Sequence, residues 1–241
     1  MDLDDMQIVV IEDLKDFWDD QDIRSLYGDL MKIKFDGYGQ VYGDNVVSAD
    51  RIDFFGTHLI ICKKGLRLKP LVGYKSVTLS KCEEFNCILP AIPLIKNDGS
   101  KECYQSLMRL IESAKHNGQE LSFDYSWAQD PSLKALNSSE LFRDLIMSMG
   151  VNHHLEKQIT HMITCGAVRV KTDLFFEKMG LQKVSNSAEF SQKDLNGDKA
   201  YLFHTQQFSE YGLSVAAKYK NLWDRRLHFS KKRRVHLKIV A

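Results

Sequence analysis

The spacing of hydrophobic positions predicts two long amphipathic helices. Over residues 21–35 such positions recur every three or four residues and line one helical face, at Ile23, Leu26, Leu30 and Ile33. We expect the glycines at positions 37 and 39 to break this helix. Residues 101–116 show the same periodicity and end at an Asn-Gly pair, with a shared face made of Cys103, Leu107, Leu110, Ile111 and Ala114.

Shorter apolar or alternating runs predict the strands. Residues 54–62 and 70–79 flank a Lys-Lys-Gly turn and predict an antiparallel hairpin. Further strands are predicted at 120–127, 159–165, 181–184 and 200–205, with helices at 138–149 and 171–179. Two prolines make the segment 85–95 a loop or a sheet edge. This order predicts a mixed α/β fold with an early hairpin and later crossovers.

Composition adds a broad class to this pattern. The 241 residues are 44% hydrophobic and 27% charged, which is typical of a globular protein, and no low-complexity tract divides them, so we expect one domain over residues 1–241. The start MDLDDMQIVV is not a secretory signal, and no apolar run reaches 18 residues, so we expect a cytoplasmic protein without a membrane span. The five cysteines are expected to be reduced; Cys82 and Cys87 resemble half of a zinc site, but no second pair follows.

The two ends of the chain carry opposite charge although the net charge is only +1. An acidic N-terminal segment (residues 1–22) holds nine acids and one lysine, and a basic C-terminal tail (residues 218–241) holds nine Lys/Arg and one Asp. The termini either lie against each other as solvated segments, or the tail contacts an anionic partner such as phosphate, nucleic acid or an acidic carrier protein. The candidate contact residues are Arg225, Arg226, Lys231, Lys232, Arg233 and Arg234.

Two carboxylates, Asp50 and Asp53, stand three residues apart just before the strand predicted at 54–62. In a strand they would face opposite ways, whereas in one helical turn they would face together and form a paired site. Such a pair could take a proton from an amine. The alternative is structural: Asp50 caps a turn, and Asp53 forms a salt bridge with Arg51 or a nearby lysine.

Two segments resemble the GNAT acyltransferase superfamily. The run Phe175–Leu181 (FFEKMGL) is similar to the "LYEKLGF" end of that superfamily's fourth helix. The acids Asp50 and Asp53, followed by a strand and by the run 72–76 (VGYKS), are similar to one branch, the acyl-homoserine-lactone synthases and long-chain N-acyl amino acid synthases. The resemblance covers roughly residues 20–205. It implies an α/β (α+β) fold with a splayed central sheet flanked by helices on both faces.

The resemblance also implies an activity, namely N-acylation of an amine from an acyl-carrier-protein or acyl-CoA thioester, with no permanently bound cofactor and no metal. Asp50 and Asp53 are then the catalytic candidates. Aromatic residues would line the acyl channel, and a bulge in the strand over 72–79 would supply the oxyanion donor. The candidate substrate-binding residues are Phe35, Tyr38, Tyr42, Phe54, Lys75, Ser76 and Thr78. Ordinary core packing and strand polarity are the alternative interpretation of these residues.

Several positions depart from the family pattern. The glycine-rich pyrophosphate loop is missing, since Cys165-Gly166-Ala167 holds only one glycine, and this favours a carrier protein over coenzyme A as the donor. The tyrosine that protonates the leaving thiolate is replaced by Phe176, which has no proton to give. Ser48 stands in place of the first acid, and Ser76 in place of the arginine of the next strand.

Three classes of function therefore compete. The first is an N-acyltransferase that moves an acyl group, fatty by analogy, to a small-molecule amine. The second is a catalytically inactive GNAT-like module that binds a ligand or a partner. The third, nucleic-acid binding through the basic tail, lacks any recognition motif, so we do not expect it. Among the histidines, we expect His58 and His161 in the core, and His153 and His154 at the surface.

Overall fold

A computed structural model describes residues 2–43, 49–136 and 139–231. These residues form a mixed α/β fold, as the pattern predicted, with eight α-helices and nine β-strands. The strands are β1 (Met6–Glu12), β2 (Thr57–Lys63), β3 (Lys69–Thr78), β4 (Leu121–Gln129), β5 (His161–Ala167), β6 (Gln182–Lys183), β7 (Glu189–Gln192), β8 (Asp198–Thr205) and β9 (Leu227–Phe229).

The α-helices are α1 (Gln21–Tyr42), α2 (Leu79–Glu84), α3 (Ala91–Asp98), α4 (Lys101–His116), α5 (Ser139–Lys157), α6 (Thr172–Met179), α7 (Glu210–Lys218) and α8 (Lys220–Asp224). None of the helices in the described ranges is long and apolar enough to cross a membrane.

The chain divides into two compact units. Unit 1 comprises Met1–Ser76, Ser126–Met149 and Ala217–Ala241, and unit 2 comprises Val77–Tyr125 and Gly150–Ala216. The expectation of one domain over residues 1–241 stays a prediction.

In unit 1 the strands follow the order β9-β1-β2-β3. The predicted hairpin is present: β2 pairs antiparallel with β3, from Thr57 opposite Ser76 to Ile61 opposite Val72, and the register then shifts at Leu71. The pairing of β3 with β2 is regular from 72 to 76, and the shift lies just before this stretch. The bulge expected within 72–79 stays a prediction for the rest of that strand. On its other side β2 pairs with β1, which also pairs in parallel with β9.

Helix α1 is longer than predicted. Asp20 caps its start by accepting hydrogen bonds from the backbone of Asp22 and Ile23, and the predicted apolar face is buried against the β1 and β2 side chains. The expected break at positions 37 and 39 was wrong, since the helix continues to Tyr42 and ends at Gly43. A glycine inside a helix costs only about 1 kcal/mol, which the packing of the helix offsets.

In unit 2, β4 and β5 are parallel neighbours for a short stretch. Their paired positions run from Leu121–His161 to Asp124–Thr164, whereas β5 continues to Ala167. Ser126, the first residue of β4 that belongs to unit 1, adopts a left-handed backbone with φ 59°. On its other side β5 pairs antiparallel with β8, and β8 also pairs with β6 and β7.

Two further expectations in unit 2 were wrong. The segment 85–95 contains the start of α3, because a proline is tolerated in the first turn of a helix, where its missing N–H has no partner to lose. His153 and His154 are buried rather than at the surface, since α5 extends past the predicted residue 149 to Lys157.

Candidate active site

The two predicted carboxylates face together in a short 3-10 helix, Arg51–Phe54, of unit 1. Asp50 caps this turn: its Oδ1 accepts the N–H of Ile52 at 2.8 Å, and the Asp53 Oδ2 accepts the N–H of Asp50 at 2.7 Å. This reciprocal arrangement is a capping box. The carboxylates therefore form a pair. Asp50 also caps the turn as the structural alternative predicted, and Asp53 accepts a backbone N–H as well.

Lys75 of β3 joins the two acids. Its Nζ lies 2.9 Å from the Asp53 Oδ2 and 3.0 Å from the Asp50 Oδ2. The side chains of Lys75 and Asp53 are 0% and 1% exposed, whereas Asp50 is 41% exposed. Asp50 is thus the carboxylate of this pair that solvent and a small molecule can reach.

A second buried lysine, Lys34 of α1, completes the cluster. Its Nζ lies 3.9 Å from the Asp53 Oδ1, is fully buried, and makes no hydrogen bond with any described residue. Burial lowers the pKa of Lys34 to about 8, although the Asp53 charge opposes that shift. The sequence analysis missed this residue, but Lys34 follows Leu30 by four positions, and a lysine on an otherwise apolar helical face was a usable signal.

The charges of the cluster are set by its lysines. Burial alone would raise the pKa of Asp53, but Lys75 and Lys34 outweigh it, so the pKa is lowered and the carboxylate stays ionised. Burial lowers the pKa of His58 to about 4, and its Nε2–H donates to the Asp53 carbonyl at 2.7 Å, so this imidazole is neutral. The Tyr27 and His58 rings pack edge to face. Burial raises the pKa of Tyr27, and the negative charge of Asp53 raises it further.

The predicted aromatic residues have different surroundings in unit 1, and their role as the lining of an acyl channel stays a prediction. Phe35 lines a surface cavity of about 640 Å³ together with Asp36, Gln40 and Asp130. Tyr42 is buried and lies against Tyr38, with ring centroids 5.9 Å apart. Phe54 is 45% exposed and packs on Trp18. Of the four predicted aromatics, Phe35 alone lines this cavity.

The predicted polar residues of β3 have different settings. In unit 1, Ser76 is buried at 2% exposure, next to Lys75 in the strand. In unit 2, Thr78 caps α2 by accepting the N–H of Lys81 and exchanges a hydrogen bond with the Ser80 hydroxyl. Ser48, at which the family pattern places an acid, lies outside the described residues.

Two described residues of the basic tail contact the acidic N-terminal segment within unit 1. Arg225 forms an ion pair with Asp4 at 3.2 Å, and Lys231 pairs with Asp16 at 3.3 Å. Arg226 stacks on the Trp223 ring. Such ion pairs were expected if the two oppositely charged terminal segments lie against each other. Lys232, Arg233 and Arg234 lie outside the described residues.

Unit 2 holds a buried polar group that the sequence analysis did not find. Ser122 of β4 lies 2.9 Å from both the His154 Nε2 and the Asp124 Oδ1, and the His154 Nδ1 lies 2.8 Å from the Gly150 carbonyl. The composition is that of a hydrolase triad, but the aspartate lies on the serine side of the imidazole, and all three side chains are buried. The arrangement is structural.

Two family departures are also explained in unit 2. Phe176 is fully buried and packs near Phe203, so its ring is a core element of α6. Gly166 lies directly under α6: an added Cβ would come within 2.8 Å of the Asp173 Cα. This glycine permits close helix–strand packing and does not form an open phosphate cradle.

Comparison with known proteins identifies the fold. No protein-family profile matches the sequence, and no curated protein matches it. Among solved structures, FeeM, an N-acyl amino acid synthase from uncultured soil microbes, superposes with a TM-score of 0.51 at 11% identity over 83% of this chain and 91% of its own. The AHL synthase LasI gives 0.48 at 12% identity, over 83% of this chain and 87% of its own. The likeness to FeeM confirms that the chain has the fold of the GNAT acyltransferases.

Proposed function

We propose that the protein is an N-acyltransferase that moves an acyl group from a thioester to an amine. One observation carries this proposal: Asp50 and Asp53, the acids singled out by the resemblance, converge on a buried lysine in a GNAT-like fold, and one of them reaches the surface. A half-exposed carboxylate held by a buried ion pair is a suitable proton acceptor beside a bound amine.

The residues of the cluster have different roles in this proposal. The amine nitrogen attacks the thioester carbonyl, a C–N bond forms, the C–S bond breaks, and the amine proton passes to the Asp50 carboxylate. Asp53, Lys75 and Lys34 are positioning residues, because they are buried and act through Asp50. The departing thiolate takes its proton from solvent, since Phe176 has none to give.

The donor is proposed to be a fatty acyl thioester on a carrier protein or on coenzyme A. The lack of a glycine-rich phosphate loop and the tight packing at Gly166 favour the carrier protein. The negative charge of an acidic carrier would complement Lys232, Arg233 and Arg234 of the basic tail. The acceptor is a small-molecule amine, for which the cavity lined by Phe35, Asp36 and Asp130 is the proposed entry.

A catalytically inactive, ligand-binding module is the second candidate. This candidate is favoured because Asp50 and Asp53 already have structural partners. Both carboxylates take part in the capping box, and both form a salt bridge with Lys75. In that case the cluster would serve the stability of the turn, and the buried Phe176 would mark a lost catalytic position.

Transfer is tested with the purified chain, acyl-carrier-protein or acyl-CoA donors and a pool of amines, by mass spectrometry of products and release of free thiol. We expect product with the wild type and a ~10²-fold or larger loss of kcat for Asp50→Asn, because asparagine still caps the turn but cannot take a proton. Asp29→Asn, which removes another surface acid of unit 1, is the matched control. Equal rates for Asp50→Asn and the wild type would exclude Asp50 as the base, and the absence of any product would favour the inactive module.

A further inference from the structure

Helix α2 of unit 2 ends in a specific backbone motif that involves two cysteines. Asn86 has a left-handed backbone with φ 47°, its N–H donates to the Glu83 carbonyl at 3.1 Å, and the N–H of Cys87 donates to the Cys82 carbonyl at 2.9 Å. This pair of hydrogen bonds defines a Schellman motif. Cys82 and Cys87 occupy its two positions whose side chains ordinarily touch across the helix end.

The side chains of the two cysteines are in contact but differ in exposure. Cys82 is 1% exposed, whereas Cys87 is half-buried and reaches solvent. Burial is the main cause of the raised pKa of Cys82. The neighbouring Cys87 thiol and the carboxylates of Glu120 and Glu83 raise it further. Cys87 is therefore the thiol that meets a dissolved reagent first, and Cys82 is held behind it.

Of the other cysteines, Cys103 of α4 and Cys165 of β5 also lie near each other, but these two belong to separate elements and not to one helix end. Cys62 and Cys103 are fully buried. Within the described ranges, no group of three or more histidine, cysteine or acidic side chains is placed to hold a metal ion, so the half zinc site suggested by the sequence gains no further ligands. Two adjacent thiols, one of which reaches solvent, are the arrangement of a dithiol that can close.

We propose that Cys82 and Cys87 are a redox-modification site, which a small-molecule disulfide such as oxidised glutathione converts into an intrachain disulfide. The inference is independent of the acyltransferase proposal. The Cys87 thiolate attacks one sulfur of the oxidised glutathione, whose S–S bond breaks and releases one glutathione thiolate. Cys82 then gives up its proton and attacks the Cys87 sulfur, which forms the Cys82–Cys87 bond and expels the second glutathione. Two protein thiols are oxidised, and one glutathione disulfide is reduced to two thiols.

The experiment equilibrates the full chain in a series of reduced/oxidised glutathione mixtures. Each sample is quenched in acid, unfolded, labelled with N-ethylmaleimide and weighed intact, and the cross-linked peptide is mapped. At the reducing end all five cysteines of the chain are expected to carry a label. As the mixture becomes more oxidising, the wild type is expected to lose two labels together and to retain no glutathione.

Variants resolve the two steps of the reaction. Cys82→Ser is expected to stop at the mixed disulfide, with one glutathione on Cys87, and Cys87→Ser is expected to keep four labels throughout the series. Cys165→Ser, which removes a thiol from β5, is the matched control and is expected to lose two labels as the wild type does. The proposal is overturned if the wild type accumulates glutathione on Cys87 without closure, if it keeps five labels at the oxidising end, or if the mapped bond joins Cys103 and Cys165.

Discussion

Asp53 is the residue on which the charge cluster of unit 1 depends. Its carboxylate accepts the Asp50 backbone N–H, pairs with Lys75, and is the nearest opposite charge to Lys34. Both lysines are taken out of water, and a buried charge without a counter-charge is costly. The cluster is thus held by one carboxylate, while Asp50 stands at its rim.

Replacing Asp53 and Asp50 one at a time should lower the free energy of unfolding by different amounts. Asp53→Asn is expected to lower the free energy of unfolding by about 3–5 kcal/mol, because Lys75 and Lys34 would remain buried without their central counter-charge. Asp50→Asn should cost less than about 1 kcal/mol, since the residue is partly exposed and asparagine is an equally good cap. Urea denaturation of both variants at pH 7 measures the difference. Equal losses would contradict the central role of Asp53.

Lys34 should be a residue that lowers stability. A pKa reduced from 10.5 to about 8 corresponds to ~3 kcal/mol of unfolding free energy lost while the amine is charged. We therefore expect Lys34→Met to raise the free energy of unfolding at pH 7 by about 1–3 kcal/mol while it reduces acyl transfer.

The stabilisation expected from Lys34→Met depends on pH, because the pKa of Lys34 is lower in the folded chain than in the unfolded chain. Between pH 8 and pH 10.5 the unfolded chain keeps a proton on Lys34 that the folded chain has lost, so the stability contributed by this group rises with pH. The gain from Lys34→Met should then be largest below pH 8 and shrink toward pH 10.5. Urea denaturation at pH 7 and pH 9.5 tests this, and a gain independent of pH would contradict the burial of a charged amine.

At the scale of elements, helix ends and close approaches decide how segments pack. Helix α6 ends at Gly180, which has φ 104° and lies against the backbone of Phe208 and Ser209, just before α7. The family-like run FFEKMGL thus marks a real structural junction in unit 2. The glycine is required there both by its backbone conformation and by the lack of space for a Cβ.

Two glycines of unit 2 provide a matched test of this junction. Gly118 also has a positive φ, of 62°, but nothing lies within 4 Å of a Cβ added there. Gly118→Ala should cost about 1 kcal/mol from the backbone alone. Gly180→Ala should cost at least about 2 kcal/mol more, because its Cβ would collide with the backbone nitrogen of Ser209. Thermal denaturation of both variants measures the difference, and similar losses would show that the close approach relaxes freely.

At the scale of the whole molecule, the opposite charges of the two termini meet in unit 1. The ion pairs of Arg225 with Asp4 and of Lys231 with Asp16 are at the surface, where such pairs contribute at most about 1 kcal/mol. The pairing of β9 with β1 and the burial of Phe229 are the stronger tie. A contact of Lys232, Arg233 and Arg234 with an outside partner stays a prediction.

A chain that ends after Lys231 tests this role of the tail. Deleting residues 232–241 keeps all of β9, and urea denaturation checks that the shortened chain is folded. If the tail binds an acidic carrier, kcat/KM with a carrier-bound donor should fall by about tenfold at low salt and the difference should vanish at high salt, since steering between charges is screened. The same deletion should leave kcat/KM with acyl-CoA unchanged. An equal fall with both donors would argue against carrier docking.

The sequence by itself determined several of the elements and the identity of the acids. Helical and alternating periodicity located α1, α4, β4 and the β2–β3 hairpin, because these segments bury one face and the pattern records which face it is. The acids Asp50 and Asp53 were found from their position before a strand. The Schellman motif that joins Cys82 to Cys87 could not be read in advance, because a six-residue helix such as α2 carries too few turns to show a period.

Only the tertiary structure decided which charges share a site. Lys34, Asp53 and Lys75 belong to three segments separated along the chain, and their ion pairs depend on how α1, the 3-10 turn and β3 pack. Burial likewise decided that His154 is in the core and that Phe176 is packed. Local periodicity reports the environment of one element, whereas pairing energies and pKa shifts depend on distances between elements, and these distances arise only on folding.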